Sequence, residues 1–317
     1  MLSKSNHDFT SPVASAALGA ESLPTTVPTL GANQWRCGRF CWDVSAAAPV
    51  LVMGIVNATP DSFSDGGQHD STQSALIHAE RLIAEGAHML DIGGESTRPG
   101  APTVSMQQEL DRVLPIVNEL AARGHCVSVD TRKPGVMREA ISAGASIIND
   151  VTALAAPGAI TLCAASDVGV VLMHMQGEPG TMQAAPSYTD VVREVGEFLL
   201  ARAAACEAAG IAGNRVVLDP GFGFGKTLAH NVELTRRLSE LVAHGYPVLA
   251  GWSRKGTLGT LTGRTVASER VHASVAAALA CVAQGARIVR VHDVAATVDA
   301  LKVWRAFFQS PLRSGEG

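Results

Sequence analysis

Aromatic residues are scarce in this chain, at 4% of 317 residues, and charged residues reach only 17%. What remains to fill a core is mainly Ala, Val, Leu and Gly, side chains that suit helices packed over parallel strands. With 25 Lys and Arg against 29 Asp and Glu, the formal charge is −4. No basic stripe interrupts that balance, so neither nucleic acid nor an anionic membrane surface is an expected partner. No apolar run approaches the roughly 18 residues that a membrane-spanning helix needs. The opening "MLSKSNHDFTSPVASAALG" has no sustained hydrophobic stretch and does not read as a secretory signal. A cytoplasmic enzyme is the default expectation. The six cysteines are scattered. Cys126, Cys163, Cys206 and Cys281, mostly flanked by Ala or Val, read as buried reduced thiols. Cys37 and Cys41 are spaced C-x-x-x-C with no second ligand pair nearby, which argues against zinc.

Residues 1–34 are rich in Ser, Thr, Ala and Pro without a helical or strand period, and read as a tail. The following "RCGRFCWDV" suggests a hairpin that plugs the base of a domain. The expected division is an N-terminal extension over 1–45, one domain over 46–311 and a short tail over 312–317. From residue 50 one unit recurs: an apolar run with a polar end, a loop, then an amphipathic helix. The runs are "VLVMGIVN" (50–57), "HMLDIGG" (88–94), "CVSVDT" (126–131), "SIINDV" (146–151), "GVVLMH" (169–174), "RVVLDPG" (215–221), "PVLAGWS" (247–253) and "RIVRVHD" (287–293). Helices are predicted near 72–85, 105–123, 134–143, 158–166, 189–209, 228–244, 268–284 and 294–309. Pro134 suits the first turn of its helix, and glycines such as Gly86, Gly124 and Gly144 suit C-terminal caps. Eight βα units predict an α/β chain folded as a (β/α)8 TIM barrel with a short N-terminal extension. A doubly wound sheet is the runner-up, weakened by the lack of a dinucleotide fingerprint.

In a barrel, chemistry belongs at the C-terminal ends of the strands. Those ends carry Asn57, Asp91, Asp130, Asn149 with Asp150, His174, Asp219, Ser253 and His292, with Arg98, Arg132, Lys226, Arg254, Lys255 and Arg290 close by in the chain. Strand alternation places Arg290 and His292 of "RVH" on one side, a grip for an anion; the competing reading pairs Arg290 with a carboxylate such as Asp293. Asp130, Asn149 and Asp219 could read an amino-pyrimidinone edge, with Lys255 on a carbonyl oxygen; the competing reading is an internal Lys255–Asp219 ion pair. The loop "NATPDSFSDGG" (57–67), with Asn57, Asp61, Ser64 and Asp65, suits a lid or a Mg²⁺ shell. The loop "GGESTRPG" (93–100) repeats the design around Thr97 and Arg98. "DPGFGFGKT" (219–227) resembles a nucleotide loop, but Pro220 stands where a P-loop needs glycine, so Gly-Lys-Thr reads as a coincidence of spelling. Its glycines permit a tight turn, with Phe222 and Phe224 expected beside bound aromatics.

"MGIVNATPDSFSDGG", "DIGGESTRPG", "VDTRKPGV", "IINDV", "DPGFGFGK", "GWSRKG" and "RVHDV" occur in this order over 50–295 and together closely resemble the dihydropteroate synthase family of pterin-binding enzymes. The resemblance implies condensation of a dihydropterin methyl diphosphate with 4-aminobenzoate, with Mg²⁺ as cofactor, small molecules as partners and a homodimer. It implies that Asp130, Asn149, Asp219, Lys255, Met173 and Gly223 hold the pterin. Thr97, Arg98, Arg290, Val291 and His292 would bind the diphosphate, and Asn57 would give an oxygen to the metal. Phe63, Thr97, Phe224, Ser253 and Lys255 would face 4-aminobenzoate, with Asp130, Lys255, Arg98 and Asp65 as the catalytic set. "SRKG" departs from the family's pattern by placing Gly256 where Ser is frequent. A pterin-binding methyltransferase domain should lack the two polar loops, and an inactive homologue should have lost Asn57, Arg98, Asp130 or Lys255. A phosphate-sugar isomerase or aldolase would need a Schiff-base lysine or a Glu base at a strand end, and neither is obvious.

Overall fold

The structure, a computed structural model, describes residues 33–58, 68–96, 103–177 and 180–308, with only the backbone for 68–70. Asp61, Phe63, Ser64, Asp65, Thr97 and Arg98 lie outside the described residues, as does the expected tail over 312–317. The described residues open with an antiparallel hairpin of β1 (Gln34–Cys37) and β2 (Phe40–Asp43). Eight parallel strands follow: β3 (Leu51–Asn57), β4 (Met89–Gly93), β5 (Val127–Asp130), β6 (Ile147–Asp150), β7 (Gly169–Met173), β8 (Val216–Asp219), β9 (Leu249–Ala250) and β10 (Ile288–Val291). Their order is β8-β7-β6-β5-β4-β3-β10-β9, and a parallel bridge between Leu218 and Val248 joins the two ends. The fold is a (β/α)8 barrel, and all eight strands fall within the runs read from the sequence.

The helices are α1 (Gln68–Ala84), α2 (Met106–Ala122), α3 (Pro134–Ser142), α4 (Ala159–Ala164), α5 (Val191–Ala208), α6 (Leu228–Arg236), α7 (Leu238–Val242), α8 (Gly256–Thr262), α9 (Val271–Ala283) and α10 (Val294–Phe308). Local chemistry explains their starts. Ser105 and Gln108 form a reciprocal capping box at α2, and Asp190 accepts from Val192 N and Arg193 N at α5. The single helix expected over 228–244 is broken at Arg237, whose backbone leaves the helical region while its guanidinium reaches Asp190, Glu233 and Glu240. α8 was not expected, because "GTLGTLT" is built from weak helix formers.

Period-two alternation divides each strand between two cores. Val52, Val56, Leu90, Ile92, Val127, Val129, Ile148, Val170, Leu172, Val216, Leu218 and Val289 face the helices. Leu51, Met53, Met89, Ile147, Val171, Val217, Leu249 and Ile288 pack with Trp35 and Cys37 of the hairpin in a second, inner cluster. The hairpin closes the base so tightly that a Cβ on Gly169 would lie 2.8 Å from Cys37 Sγ. Trp35 is fully buried there and donates its indole N–H to Arg215 O at 3.2 Å. Continuing up the same inward faces, one or two positions on, the residues become Asp91, Asp130, Asn149, Asp219, Ser253, Arg290 and His292. Cys37, Cys126, Cys163, Cys206 and Cys281 are buried thiols; Cys41 is exposed.

Candidate functional site

Register aligns the site residues. Asn57 pairs with Gly93, Gly93 with Asp130 and Asp130 with Asn149, so four neighbouring strands end at one level. Gly93 brings no side chain to that level, which leaves room between Asn57 and Asp130. The space is part of a cavity of about 690 Å³ lined by Asn57, Asp130, Gly223, Phe224, Ser253, Lys255, Arg290 and His292, among others. Asn149 and Asp219 are buried, as is Met173, the register partner of Asp219.

Arg290 organises the floor. Its Nε donates to Asp91 Oδ2 at 2.6 Å and its Nη2 to Asp130 Oδ2 at 2.9 Å. The competing reading of Arg290 as the partner of a barrel carboxylate is thus borne out, with Asp91 and Asp130 in place of Asp293, which Arg254 takes at 2.5 Å. Burial opposes the charge on Arg290, but Asp91 and Asp130 hold its pKa above the ordinary value. Burial also raises Asp130 to about 7, with Arg290 pulling down and Asp91 pushing up. Asp91 is fully buried, and its Oδ2 accepts from Asn149 Nδ2 at 3.1 Å as well. With its Nδ2 donating to Asp91, the Asn149 amide presents its Oδ1 elsewhere. Asp91 was read as a strand end but given no task; its inward position two residues before Gly93 was the available signal.

Asp219 Oδ1 accepts from Gly221 N at 2.7 Å. Burial raises its pKa, opposed by that N–H and by Lys255, Arg290 and Lys226. Lys255 Nζ sits 4.0 Å from the centre of the Phe224 ring, a cation–π contact. Ser253 Oγ accepts from His292 N at 3.0 Å and lies 3.0 Å from His292 Nδ1. The root of the 93–100 loop is tied down: Lys133 Nζ lies 2.5 Å from both Glu95 and Glu109, and Arg112 donates to Gly94 O at 2.7 Å.

Several expectations change. Phe222 does not face the mouth; it is buried and stacks on Trp252 at 4.7 Å. Val291 belongs to the helix-facing core, so its side chain is turned away from any diphosphate. Asp150 also faces outward and holds its own turn through Thr152 N, Thr152 Oγ1 and Leu154 N. His174 is buried against Phe198, and burial with Lys226 drives its pKa down to about 3. Lys226, dismissed as an accident of spelling, is 3% exposed and engages His174, Gly221 and Phe224. At Gly256, on the cavity wall, an added Cβ would meet nothing within 4 Å, so packing does not demand glycine there.

A magnesium site can be tested against these side chains. Among the described residues no cluster of three or more His, Cys, Asp or Glu could hold a metal ion. Asn57 offers one hard oxygen at the cavity wall. That suits an ion such as Mg²⁺, which keeps much of its water and travels on substrate phosphates.

Comparison with known proteins gives a consistent result. The family model described as pterin binding enzyme matches residues 53–292. The dihydropteroate synthase of Neisseria meningitidis serogroup B is 57% identical over 278 residues, covering 86% of this chain and 96% of that protein. The structure of Xanthomonas albilineans dihydropteroate synthase with 4-aminobenzoic acid superposes with a TM-score of 0.82 at 52% identity, over 88% of this chain and 100% of that one. The same organism's enzyme in complex with 7,8-dihydropteroate gives 0.78 at 47% identity, again over 88% and 100%.

Proposed function

Because the chain belongs to the dihydropteroate synthase family of transferases, we propose that it joins (7,8-dihydropterin-6-yl)methyl diphosphate to 4-aminobenzoate, giving 7,8-dihydropteroate and diphosphate. The observation that carries the reading is one cavity bordered by Asp130 with its partner Arg290, by the Lys255–Phe224 pair, and by His292 and Asn57. Asp219 accepts pterin N–H groups, the Asn149 Oδ1 left free by Asp91 accepts another, and Lys255 donates to the pterin carbonyl. Ser253 and Phe224 border the 4-aminobenzoate.

The methylene C–O bond breaks and its electron pair leaves with the diphosphate. Arg290 and His292, joined by Thr97 and Arg98, stabilise that charge where it develops. Magnesium, held through Asn57 and the phosphates, supplies Lewis-acid neutralisation of the leaving group when bound. The methylene cation is conjugated with the pterin ring, and ionised Asp130 offsets its charge. Burial makes that carboxylate a strong base, and Arg290 keeps it ionisable near neutral pH. The amine of 4-aminobenzoate then forms the C–N bond and gives up a proton to solvent or to the departing diphosphate. A cationic electrophile makes so weak a nucleophile sufficient. Exclusion of water protects the cation, a task for the two polar loops that carry Asp65 and Arg98. A homodimer and a cytoplasmic setting complete the reading; exposed Leu261, Val266, Phe307 and Phe308 offer apolar surface for a second copy.

The test is diphosphate release from the purified protein with Mg²⁺ and both substrates, with dihydropteroate identified by mass. Absence of product while a known synthase turns over in the same assay would sink the reading.

A further inference from the structure

The lysine of "GFGKT" borders the cavity, but its ammonium is taken up by protein atoms. Lys226 Nζ lies 2.9 Å from His174 Nδ1, 3.0 Å from Gly221 O, 3.0 Å from Phe224 O and 3.3 Å from His174 O. An ammonium has three protons, so the shorter contacts saturate it and the longest shares one. Donation to Nδ1 also places the His174 proton on Nε2.

Each acceptor belongs to a part that shapes the pterin end. His174 follows β7, and its N–H donates to Asp219 O at 3.0 Å. Gly221 is bonded on one side to Lys226 and on the other, through its N–H, to Asp219 Oδ1. Phe224 borders the 4-aminobenzoate, but its ring also faces Nζ of Lys255, the lysine assigned to the pterin carbonyl. The loop approaches the chain after β7 closely: Gly221 and Gly225 sit at φ +66° and +60°, and a Cβ would lie 1.9 Å from His174 O and 2.3 Å from Gln176 O respectively. Tyr188 and Gln183 hold two more of its carbonyls, of Gly225 at 2.9 Å and Gly223 at 2.5 Å.

We propose that Lys226 is a positioning residue for the pterin end of the cavity: its buried ammonium fixes the 221–225 loop so that the Asp219 carboxylate and the Phe224 ring are presented together. This rests on the reading of the pocket given above. A buried ammonium is a poor source of stability, since burial works against its charge and Asp219 only partly restores it. Its geometry instead serves the loop that carries the ligand contacts.

The experiment is titration calorimetry of Lys226→Met with two probes, 6-hydroxymethyl-7,8-dihydropterin and inorganic diphosphate with Mg²⁺, beside steady-state kinetics. Methionine keeps the length and removes every donor. The expected result is pterin binding weakened about tenfold or more and a matching rise in pterin KM, with kcat and the diphosphate Kd within about threefold of the unsubstituted protein. Simple loss of folded protein would lower the binding stoichiometry and kcat without moving the pterin Kd. That outcome, or equal weakening of both probes, overturns the proposal. If the methionine variant does not fold, Lys226→Gln, which retains two donors, carries the same measurement. It should weaken the pterin while sparing diphosphate, and an unchanged pterin Kd overturns the proposal. Failure of the unsubstituted protein to bind the pterin would overturn the pocket reading itself, and the proposal with it.

Discussion

The two ends of the barrel interior are built from the same strands and obey opposite rules. At the base, Leu51, Met53, Met89, Ile147, Val171, Val217 and Ile288 close around Trp35 in a cluster of apolar side chains. At the mouth, the same inward faces carry Asp91, Asp130, Asn149, Asp219 and Arg290, with the pKa values of Asp130 and Asp219 raised by burial and glycines at positive φ. The base gains stability from area removed from water; the mouth keeps charges out of water, which costs free energy unless a ligand uses them. The contrast places stability and chemistry at opposite ends of one closed sheet.

The largest expected effect separates the two. Asp130→Asn should lower kcat by about 10²–10³-fold, because the charge that offsets the cation is gone. The melting midpoint should stay within about 3 °C, since Arg290 retains Asp91 and a buried charge is removed. A large drop in Tm with near-normal turnover would reverse the assignment of ends. Trp35→Ala is the mirror experiment. Emptying a fully buried indole site should cost about 3–5 kcal/mol and lower Tm by roughly 5–10 °C. KM for both substrates, measured well below the transition, should be unchanged; a shift in KM would mean that the plug shapes the mouth.

Most of the base and half of the mouth were legible without coordinates. The eight strands announce themselves as apolar runs with polar ends, and the inward set follows from period two once the barrel is recognised. Three things did not follow. Phe222 sits beside site residues in the chain but turns away from the mouth, and loop geometry, not alternation, decides which way it turns. Arg237 breaks a helix because acidic partners from α5, α6 and α7 meet it, a tertiary effect absent from local propensity. Lys226 looks like a surface lysine opening a helix; only the positive-φ loop shows that its acceptors are carbonyls of its own turn.

Titration offers a gentler way to sharpen the comparison. His174 is held unprotonated in the folded protein, with its pKa driven to about 3 from 6.5 by burial and then by Lys226. Between those values the unfolded chain binds the proton and the folded chain does not, so stability rises with pH and falls as the solution is acidified. This one group contributes a slope of about 1.4 kcal/mol per pH unit. Asp130 runs the other way: its folded pKa of about 7 lies above the ordinary value, so its contribution is lost as pH rises toward neutrality. In urea unfolding, His174→Gln should flatten the loss of stability between about pH 6.5 and about pH 5 by roughly 2 kcal/mol. An unchanged slope would remove His174 from the list of costs carried at the mouth.

The smallest effect asks whether everything at the mouth is functional. Ser105 stands where the chain re-enters α2, at the mouth end of the barrel, and its hydroxyl accepts from Gln108 N at 3.2 Å while Gln108 Oε1 accepts from Ser105 N at 2.9 Å. Both are exposed to solvent, so water replaces much of what is lost. Ser105→Ala should therefore cost about 1 kcal/mol. Turnover should not change, because Glu109, one turn further on, stays fixed by Lys133. If turnover fell in step with stability, the cap would have to be counted with Lys133 and Arg112 as part of what holds the root of the 93–100 loop.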